Sequence, residues 1–231
     1  MLELRGVTAG YGRTMVVNDI NLVVPDDGAV SVMGHNGAGK TTLLRAAVGL
    51  LPVRSGSIFL GGEDVTKWRP NKRVRKGGLA YVPQGQLAFG QMTTMENLQA
   101  VADGRRNGKQ KIDEMLDLFP VLKGLLGRKA GLLSGGQRQQ LSIARALITE
   151  PKMLILDEPT EGIQPNVVAE IERVIVQFTQ IGGLSVLLVE QHVGFALRAA
   201  GTYYVLESGR ITSSGAGGEA AIADVRAAMA V

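Results

Sequence analysis

A glycine-rich stretch that ends in a lysine and a threonine has the spacing of a phosphate-binding loop. Its residues are Gly34, His35, Asn36, Gly37, Ala38, Gly39, Lys40 and Thr41, followed by Thr42. Glycines let the backbone turn several N–H groups toward one anion, and a helix that begins near Lys40 adds the positive end of its dipole. Lys40 would reach the outer phosphates of a nucleotide, and the Thr41 hydroxyl would bind Mg²⁺. The plainer alternative is a glycine turn beside a surface lysine.

Two carboxylates, Asp157 and Glu158, follow an apolar run much later in the chain. A buried strand that ends in acids presents them at the carboxyl edge of a parallel sheet, where ligands bind in such folds. Asp157 would hold Mg²⁺, directly or through water, and Glu158 would act as general base toward an attacking water. Many strands end in acids, so this interpretation depends on the phosphate loop upstream.

A second glycine turn precedes the helical pattern at 140–147 and consists of Ser134, Gly135, Gly136 and Gln137. The backbone N–H groups at a helix N-terminus form a further place for an anion. By itself the turn would be interpreted as a plain capped helix start. Together with the phosphate loop, it indicates two phosphate-facing surfaces in one chain.

These residues need a sheet to position them. Short apolar runs at 28–33, 153–156 and 185–189 predict strands that are buried on both faces, as in a parallel sheet. Residues 41–50 predict a helix that ends at Leu51-Pro52, and residues 167–180 predict another one. Strands that alternate with helices in this way predict an α/β core.

Two regions have a different pattern. Residues 1–27 and 53–66 alternate and contain turn glycines, which predicts an antiparallel β portion. Residues 85–150 are mainly helical in pattern, with candidate helices at 97–101, 112–119 and 136–147. We therefore expect a single domain over 1–231, with three parts: a core with its β subdomain from 1–84 and 151–215, an inserted helical subdomain at 85–150, and a C-terminal tail at 216–231 that forms a small helix or frays.

The order of these motifs resembles the ATP-binding cassette (ABC) family over roughly residues 1–215, with Gln84 between the phosphate loop and the second glycine turn. The resemblance implies a P-loop NTPase core with a mainly parallel sheet, an antiparallel β subdomain and an inserted helical subdomain. It implies that Gln84 contacts Mg²⁺ and the attacking water, and that Tyr11 stacks on adenine. As a lone tyrosine in a turn, Tyr11 would otherwise be an ordinary residue of the β portion.

The same resemblance implies an ATPase that works in pairs. Two cassettes would bind head to tail, so that the turn from Ser134 to Gln137 of one contacts the γ-phosphate held by Lys40 of the other. The implied cofactors are ATP and Mg²⁺. The implied partners are a second cassette, the same or different, two membrane permease subunits and an extracytoplasmic solute-binding protein. We therefore expect a peripheral protein at the cytoplasmic face of the cell membrane.

One position departs from the family pattern. The family has a histidine, the switch residue, just after the strand that follows the acidic pair, and this histidine reaches the γ-phosphate. In this sequence the position is occupied by Gln191, and His192 comes one residue later. A one-residue offset at a strand end turns a side chain away. Glutamine donates hydrogen bonds but carries no charge. We favour Gln191 as the switch residue and keep His192 as the alternative.

Two segments, 159–165 and 189–192, resemble ATPase subunits of importers for branched-chain amino acids and for urea or short amides, and their residues are closer to the urea type. The resemblance therefore implies import of urea or short amides, with branched-chain amino acids as the alternative. Two other classes compete with an importer: a soluble cassette ATPase that acts on DNA or ribosomes, and a nucleotide-binding module without turnover. The short distance from Gln84 to Ser134 leaves no room for a long coiled-coil insertion. Glu158 provides the base that hydrolysis requires.

The composition excludes other kinds of chemistry. The sequence has no cysteine, so disulfides and thiol catalysis are excluded, and its two histidines do not suffice for a zinc site. No apolar run approaches the roughly 20 residues that span a bilayer. The net charge of +4 does not indicate nucleic acid as a partner. The basic run at 67–76 predicts a solvated face, with an anionic membrane surface as the secondary interpretation.

Overall fold

The computed structural model describes residues 1–229, which form two sheets and the helices that cover them. The strands are β1 (Leu2–Tyr11), β2 (Thr14–Val24), β3 (Ala29–Met33), β4 (Val53–Leu60), β5 (Glu63–Asp64), β6 (Leu79–Val82), β7 (Met153–Asp157), β8 (Ser185–Glu190), β9 (Thr202–Glu207) and β10 (Arg210–Ala216). The α-helices are α1 (Lys40–Val48), α2 (Pro70–Arg75), α3 (Thr94–Ala102), α4 (Gly108–Leu118), α5 (Gly135–Ile148), α6 (Pro165–Ile181), α7 (Val193–Ala199) and α8 (Ile222–Met229).

The larger sheet has the strand order β10-β9-β3-β8-β7-β6, and only β10 runs antiparallel to its neighbour. Its central strands are apolar on both faces because helices cover each side. The register places Met33 beside Glu190 and Asp157 beside Val189. The phosphate loop, the acidic pair and the residues that follow β8 therefore all begin at the same edge of the sheet.

The smaller sheet is antiparallel, with the order β2-β1-β4-β5. Leu2, Leu4, Ile20 and Leu22 are buried from its alternating strands, and they share a core with α1 and the adjacent face of the larger sheet. The two sheets confirm the predicted fold class, an α/β core with a mainly parallel sheet and an antiparallel β portion.

The helical segment between β6 and β7 consists of α3, α4 and α5 with short 3-10 turns. A capping box at Thr93 starts α3, since the Thr93 hydroxyl accepts from the Glu96 N–H and the Glu96 carboxylate accepts from the Thr93 N–H. Leu98, Phe119 and Leu141 are fully buried where the helices meet. This packing holds the start of α5 in a fixed position relative to the sheet.

Two helix boundaries differ from the sequence expectation. The first helix ends at Val48 rather than at Leu51-Pro52, because Gly49 adopts a left-handed conformation (φ 82°) and its N–H bonds the Ala46 carbonyl. The second, α6, extends the predicted helix at both ends and stops at Gly182. The short elements α2 and β6, and the β9–β10 hairpin, had no strong signal in the sequence.

The basic run is not entirely a solvated face. Arg73 is only 1% exposed, and its guanidinium donates to the carbonyls of Ala46 (3.0 Å), Ala47 (2.5 Å) and Trp68 (3.2 Å). It therefore caps the C-terminal end of α1, where the helix dipole favours a cation. Burial lowers the pKa of Arg73 to about 10, so it stays charged at neutral pH. The other basic residues of the run are exposed.

The C-terminal tail forms a small helix, α8, that packs on α7 and β3 through Val225 and Met229. Residues 230 and 231 of the predicted tail lie outside the described residues. No helix between residues 1 and 229 is long and apolar enough to cross a membrane.

Candidate functional site

The phosphate loop connects β3 to α1 and depends on glycine at two crowded positions. A Cβ on Gly34 would lie 2.3 Å from the Leu206 carbonyl oxygen, and a Cβ on Gly39 would lie 2.9 Å from Val17 Cγ1. Gly37 and Gly39 have φ values of 82° and 108°, which side chains other than glycine rarely adopt. The loop reaches the start of α1 in a conformation that allows successive N–H groups to face one anion.

Lys40 is the first residue of α1 and lies folded back over the loop. Its side chain is 4% exposed, and its ammonium donates to the carbonyl oxygens of Gly34 (2.8 Å) and His35 (3.1 Å). The same ammonium lies 3.1 Å from Glu158 Oε1. The structure thus places the predicted phosphate ligand directly beside the predicted general base.

Glu158 collects contacts from three separate segments of the chain. Besides the Lys40 ammonium, its carboxylate accepts from Gln84 Nε2 (3.1 Å) and from Gln191 Nε2 (3.0 Å to each oxygen). Its backbone has a positive φ of 47°, a conformation that costs energy for a residue with a side chain. Lys40, Gln84, Glu158 and Gln191 therefore form one cluster, which we call the hydrolysis cluster.

Gln191, not His192, enters this cluster. The Gln191 amide also donates to Asn36 Oδ1 of the phosphate loop at 2.8 Å. His192 is the exposed residue before α7, and its backbone N–H points at Glu190 Oε2 (3.4 Å). The structure brings the Gln191 amide to Glu158 and shows no hydrogen bond from the His192 ring to that carboxylate. The role of Gln191 as the switch residue stays a prediction.

We expect Gln191→Ala to lower the ATPase kcat by about tenfold to a hundredfold, because it removes a donor that orients Glu158. The kcat of His192→Ala should stay within about twofold of the parent value, since the His192 side chain is exposed to solvent. Steady-state ATPase assays of both variants check this prediction. A slow His192→Ala together with a fast Gln191→Ala would reverse the assignment.

Asp157, the last residue of β7, is buried and has one unused oxygen. The Tyr81 hydroxyl donates to Oδ2 (3.1 Å), whereas Oδ1 has no hydrogen-bond partner among the described residues. Burial raises the pKa of Asp157, and burial beside this carboxyl also raises the pKa of Tyr81, which remains a neutral donor. An orphaned carboxylate oxygen next to a phosphate loop fits a cation such as Mg²⁺.

A cavity of about 210 Å³ opens over the loop, lined by Thr41, Thr42, Gln84 and Glu158 among others. Within the described part of the chain, no three His, Cys, Asp or Glu residues cluster as a metal cage. Mg²⁺ is commonly held by one or two protein carboxylates together with substrate phosphates and water. Thr41, Gln84 and Asp157 therefore suit Mg²⁺ that arrives with a nucleotide better than a resident metal.

Tyr11 lies at the end of β1 with 45% of its surface exposed, and its hydroxyl accepts from Arg45 Nη1 at 3.0 Å. Its ring is thus available for stacking, although it does not line the cavity over the loop. The other loop residues have structural contacts: the Ala38 N–H bonds the His35 carbonyl, and His35 Nε2 lies 2.6 Å from the Met229 carbonyl oxygen.

The turn from Ser134 to Gln137 forms the capped start of α5. Ser134 Oγ accepts from the Gln137 N–H (3.3 Å) and Gln137 Oε1 accepts from the Ser134 N–H (2.9 Å), which caps α5. A Cβ on Gly135 would meet the Gln86 side chain, and one on Gly136 would meet Val167. None of the four residues lines the cavity over Lys40. Ser134 itself is exposed.

Sequence reasoning missed three residues around this site. Tyr81 bonds Asp157, Glu161 Oε2 accepts from Gln84 Nε2 (2.7 Å), and Glu190 accepts from Thr160. Each of the three lies within three residues of a motif residue, and this proximity is the signal that they share in the sequence. Glu190 also stands out as a carboxylate at the end of an apolar strand.

A phosphate loop, a buried acidic strand end and a positioned amide on a parallel sheet define a P-loop protein that binds and hydrolyses a nucleotide. The ABC transporter family profile matches residues 17–161, more than half of the chain. The chain belongs to the ABC transporter family and is an ATPase of that family, as the resemblance predicted.

Known relatives are similar along nearly the whole chain. A probable branched-chain amino acid transport ATP-binding protein, LivF, of Archaeoglobus fulgidus is 38% identical over 95% of this chain and 93% of its own. BraG, a high-affinity branched-chain amino acid transport ATP-binding protein of Pseudomonas aeruginosa, is 38% identical over 91% of each. LptB, a lipopolysaccharide export ATP-binding protein of Haemophilus influenzae, is 33% identical over 93% and 90%.

The fold has solved counterparts as well. A nucleotide-free ATP-binding cassette from an ABC transporter superposes with a TM-score of 0.87 at 25% identity, covering 98% of this chain and 95% of that one. This agreement confirms the predicted fold class.

Proposed function

We propose that the chain is the ATP-hydrolysing subunit of an importer, that it works as one half of a head-to-tail pair, and that the imported solute is a branched-chain amino acid. The observation that supports the pairing is that no residue from Ser134 to Gln137 lines the cavity over Lys40 of the same chain. Ser134 is exposed at the capped start of α5, whereas Gln84 and Glu158 of the hydrolysis cluster line that cavity. A second cassette would complete the site.

In the proposed cycle, ATP binds to the phosphate loop and Lys40 contacts its outer phosphates. Thr41, Gln84 and Asp157 would hold Mg²⁺, which when bound would neutralise charge on the phosphate oxygens. The turn from Ser134 to Gln137 of the partner closes on the γ-phosphate through its backbone N–H groups and the dipole of α5.

Glu158, the carboxylate beside Lys40, then acts as the general base for hydrolysis. Glu158 accepts the proton of the attacking water, and the amides of Gln84 and Gln191 hold its carboxylate in position. Loss of the γ-phosphate removes the charge that held the pair closed. The pair reopens, and the helical subdomain, which contains the start of α5, passes this motion to membrane permease subunits.

A mixing experiment tests the shared site. Lys40→Ala removes the phosphate ligand of one surface, and Gly135→Asp places a carboxylate on the other, where the atoms nearest to the added Cβ belong to the flexible Gln86 side chain. Each variant alone should be inactive. In an equal mixture, about half of the pairs contain one copy of each variant, and each of these pairs has one intact site out of two. The mixture should therefore recover about a quarter of the parent ATPase activity.

A mixture that stays as inactive as its components contradicts a shared site between two copies of this chain. Co-expression with a second cassette from the same organism then decides whether the natural pair is made of two different chains. The same readout applies, with the two substitutions placed on different subunits.

The hydrolysis cluster is a nucleotide site and does not discriminate between solutes, so the proposed solute rests on the relatives. LivF and BraG are named for branched-chain amino acid transport and support that solute. The residues of segments 159–165 and 189–192 are instead closer to the urea type. LptB, named for lipopolysaccharide export, is also similar to this chain, so the uptake experiment below includes export as one of its outcomes. A second cassette, two permeases and a solute-binding protein at the membrane are the proposed partners.

Uptake of labelled leucine and labelled urea by a deletion strain decides between the solutes. We expect leucine uptake to fall and to return with the wild-type gene but not with Glu158→Gln. Loss of urea uptake with normal leucine uptake would overturn the proposed solute. An outer-membrane defect with both uptakes normal would favour export.

A further inference from the structure

Glu190, the last residue of β8, is a buried carboxylate that the proposed cycle does not use. Its side chain is 1% exposed. Oε1 accepts from the Thr160 N–H (3.1 Å) and the Thr160 hydroxyl (2.7 Å). Oε2 accepts from the backbone N–H groups of Gln191 (3.0 Å) and His192 (3.4 Å). Four donors therefore converge on the two oxygens.

These donors take the place of a counter-ion. In the part of the chain that the structure describes, no lysine, arginine or histidine forms an ion pair with Glu190. A buried carboxylate without a cation is costly unless hydrogen bonds satisfy its oxygens. Burial raises the pKa of Glu190, and the bonds from Thr160, Gln191 and His192 oppose that rise.

The four donors belong to two turns that both contribute to the hydrolysis cluster. Thr160 lies two residues after Glu158 in the turn that follows β7, and Gln191 begins the turn that follows β8. The Glu158 N–H also bonds the Val189 carbonyl across the same gap (2.8 Å). Glu190 thus joins the turn that carries the general base to the turn that carries the amide bonded to it.

We infer that Glu190 is a positioning residue for ATP hydrolysis, which acts by fixing the Gln191 backbone relative to Thr160 so that the Gln191 amide stays on Glu158. It contacts neither phosphate nor water in this role. The inference rests on the proposed roles of Glu158 and Gln191. It predicts a defect in turnover without an equal defect in ATP binding, because the structure shows no hydrogen bond from the described phosphate loop to Glu190, which reaches the loop only through the contact of Gln191 with Asn36.

Two substitutions remove the connection in different ways. Glu190→Gln keeps the shape but turns an amide group toward backbone N–H donors. Thr160→Val keeps the backbone donor and removes only the hydroxyl. In the complete ATPase pair, each should lower kcat by about tenfold or more and leave KM for ATP within about twofold. Thr160→Ser, which keeps the hydroxyl, should recover most of the turnover lost in Thr160→Val.

A double-variant cycle tests whether Glu190 acts through Gln191. Gln191→Ala combined with Glu190→Gln should be no slower than Gln191→Ala alone, within about twofold, because the amide to be positioned is already absent. Melting temperatures and binding of a fluorescent ATP analogue show whether each variant is folded. If Glu190→Gln fails to fold, Thr160→Val, Thr160→Ser and their combinations with Gln191→Ala give the same answer.

The outcomes separate this inference from the proposed function. Multiplicative losses of kcat in the double variant, or equal losses in kcat and in ATP affinity, overturn the positioning role. Normal turnover in Glu190→Gln or in Thr160→Val also overturns it, even when Gln191→Ala is slow. Normal turnover in Gln191→Ala instead shows that the proposed role of Gln191 is wrong, and the inference about Glu190 then falls with it.

Discussion

Glu158→Gln should lower the ATPase kcat by about a hundredfold to ten-thousandfold while ATP still binds. The substitution keeps the shape and the hydrogen-bonding reach of the side chain but removes the carboxylate that accepts the proton of water. The contact with Lys40 loses its charge, so the lysine is freer to face a phosphate. With hydrolysis blocked, ATP should hold the pair closed. Steady-state ATPase assays and size-exclusion chromatography with and without ATP measure the two effects.

Glu161→Gln is the matched control for this experiment. Glu161 also accepts from Gln84, but it is exposed and does not contact Lys40 or Gln191. Its substitution should leave turnover within a few-fold of the parent. The role of Glu158 as general base is untenable if Glu158→Gln turns over ATP at the rate of Glu161→Gln.

Lys40→Ala should weaken ATP binding by about tenfold to a hundredfold, because it removes a charge-assisted contact to the outer phosphates. The loss should be larger for ATP than for AMP, since Lys40 reaches only the outer phosphates. The substitution also leaves Glu158 without its cation. Titration with fluorescent ATP and AMP analogues measures both affinities.

Lys67→Ala changes the net charge by the same amount at an exposed site and is the appropriate control. Its affinity for ATP should match that of the parent protein. Lys67 is far from the phosphate loop in the sequence and does not line the cavity over that loop. Equal affinities for ATP in Lys40→Ala and Lys67→Ala would contradict a phosphate-binding role for the loop.

Features that depend on local sequence could be predicted. The phosphate loop requires glycines and a lysine at fixed spacing, and the turn at Ser134 combines an N-cap with a glutamine three residues later. The central strands were predicted because both of their faces are buried, which gives continuous apolar runs. The antiparallel portion was visible from alternation alone.

Features that depend on pairing between distant segments could not be predicted. The end of α1 is set by the left-handed conformation of Gly49, and the burial of Arg73 depends on how α2 lies across that end. Gln191 was favoured over His192 from its position after β8, but its hydrogen bonds to Asn36 and Glu158 join distant segments that the sequence did not connect. The two hydrogen bonds from Thr160 to Glu190 join residues 30 positions apart, which no local pattern reveals.

The position of β3 in the larger sheet has a consequence for protein synthesis. This strand comes early in the chain, yet both of its neighbours, β8 and β9, follow much later. A nascent chain that lacks them contains the whole phosphate loop but no sheet edge to hold it. Pairing of β3 therefore requires a long loop to close, and a partly synthesised chain exposes apolar strands until β8 and β9 are made.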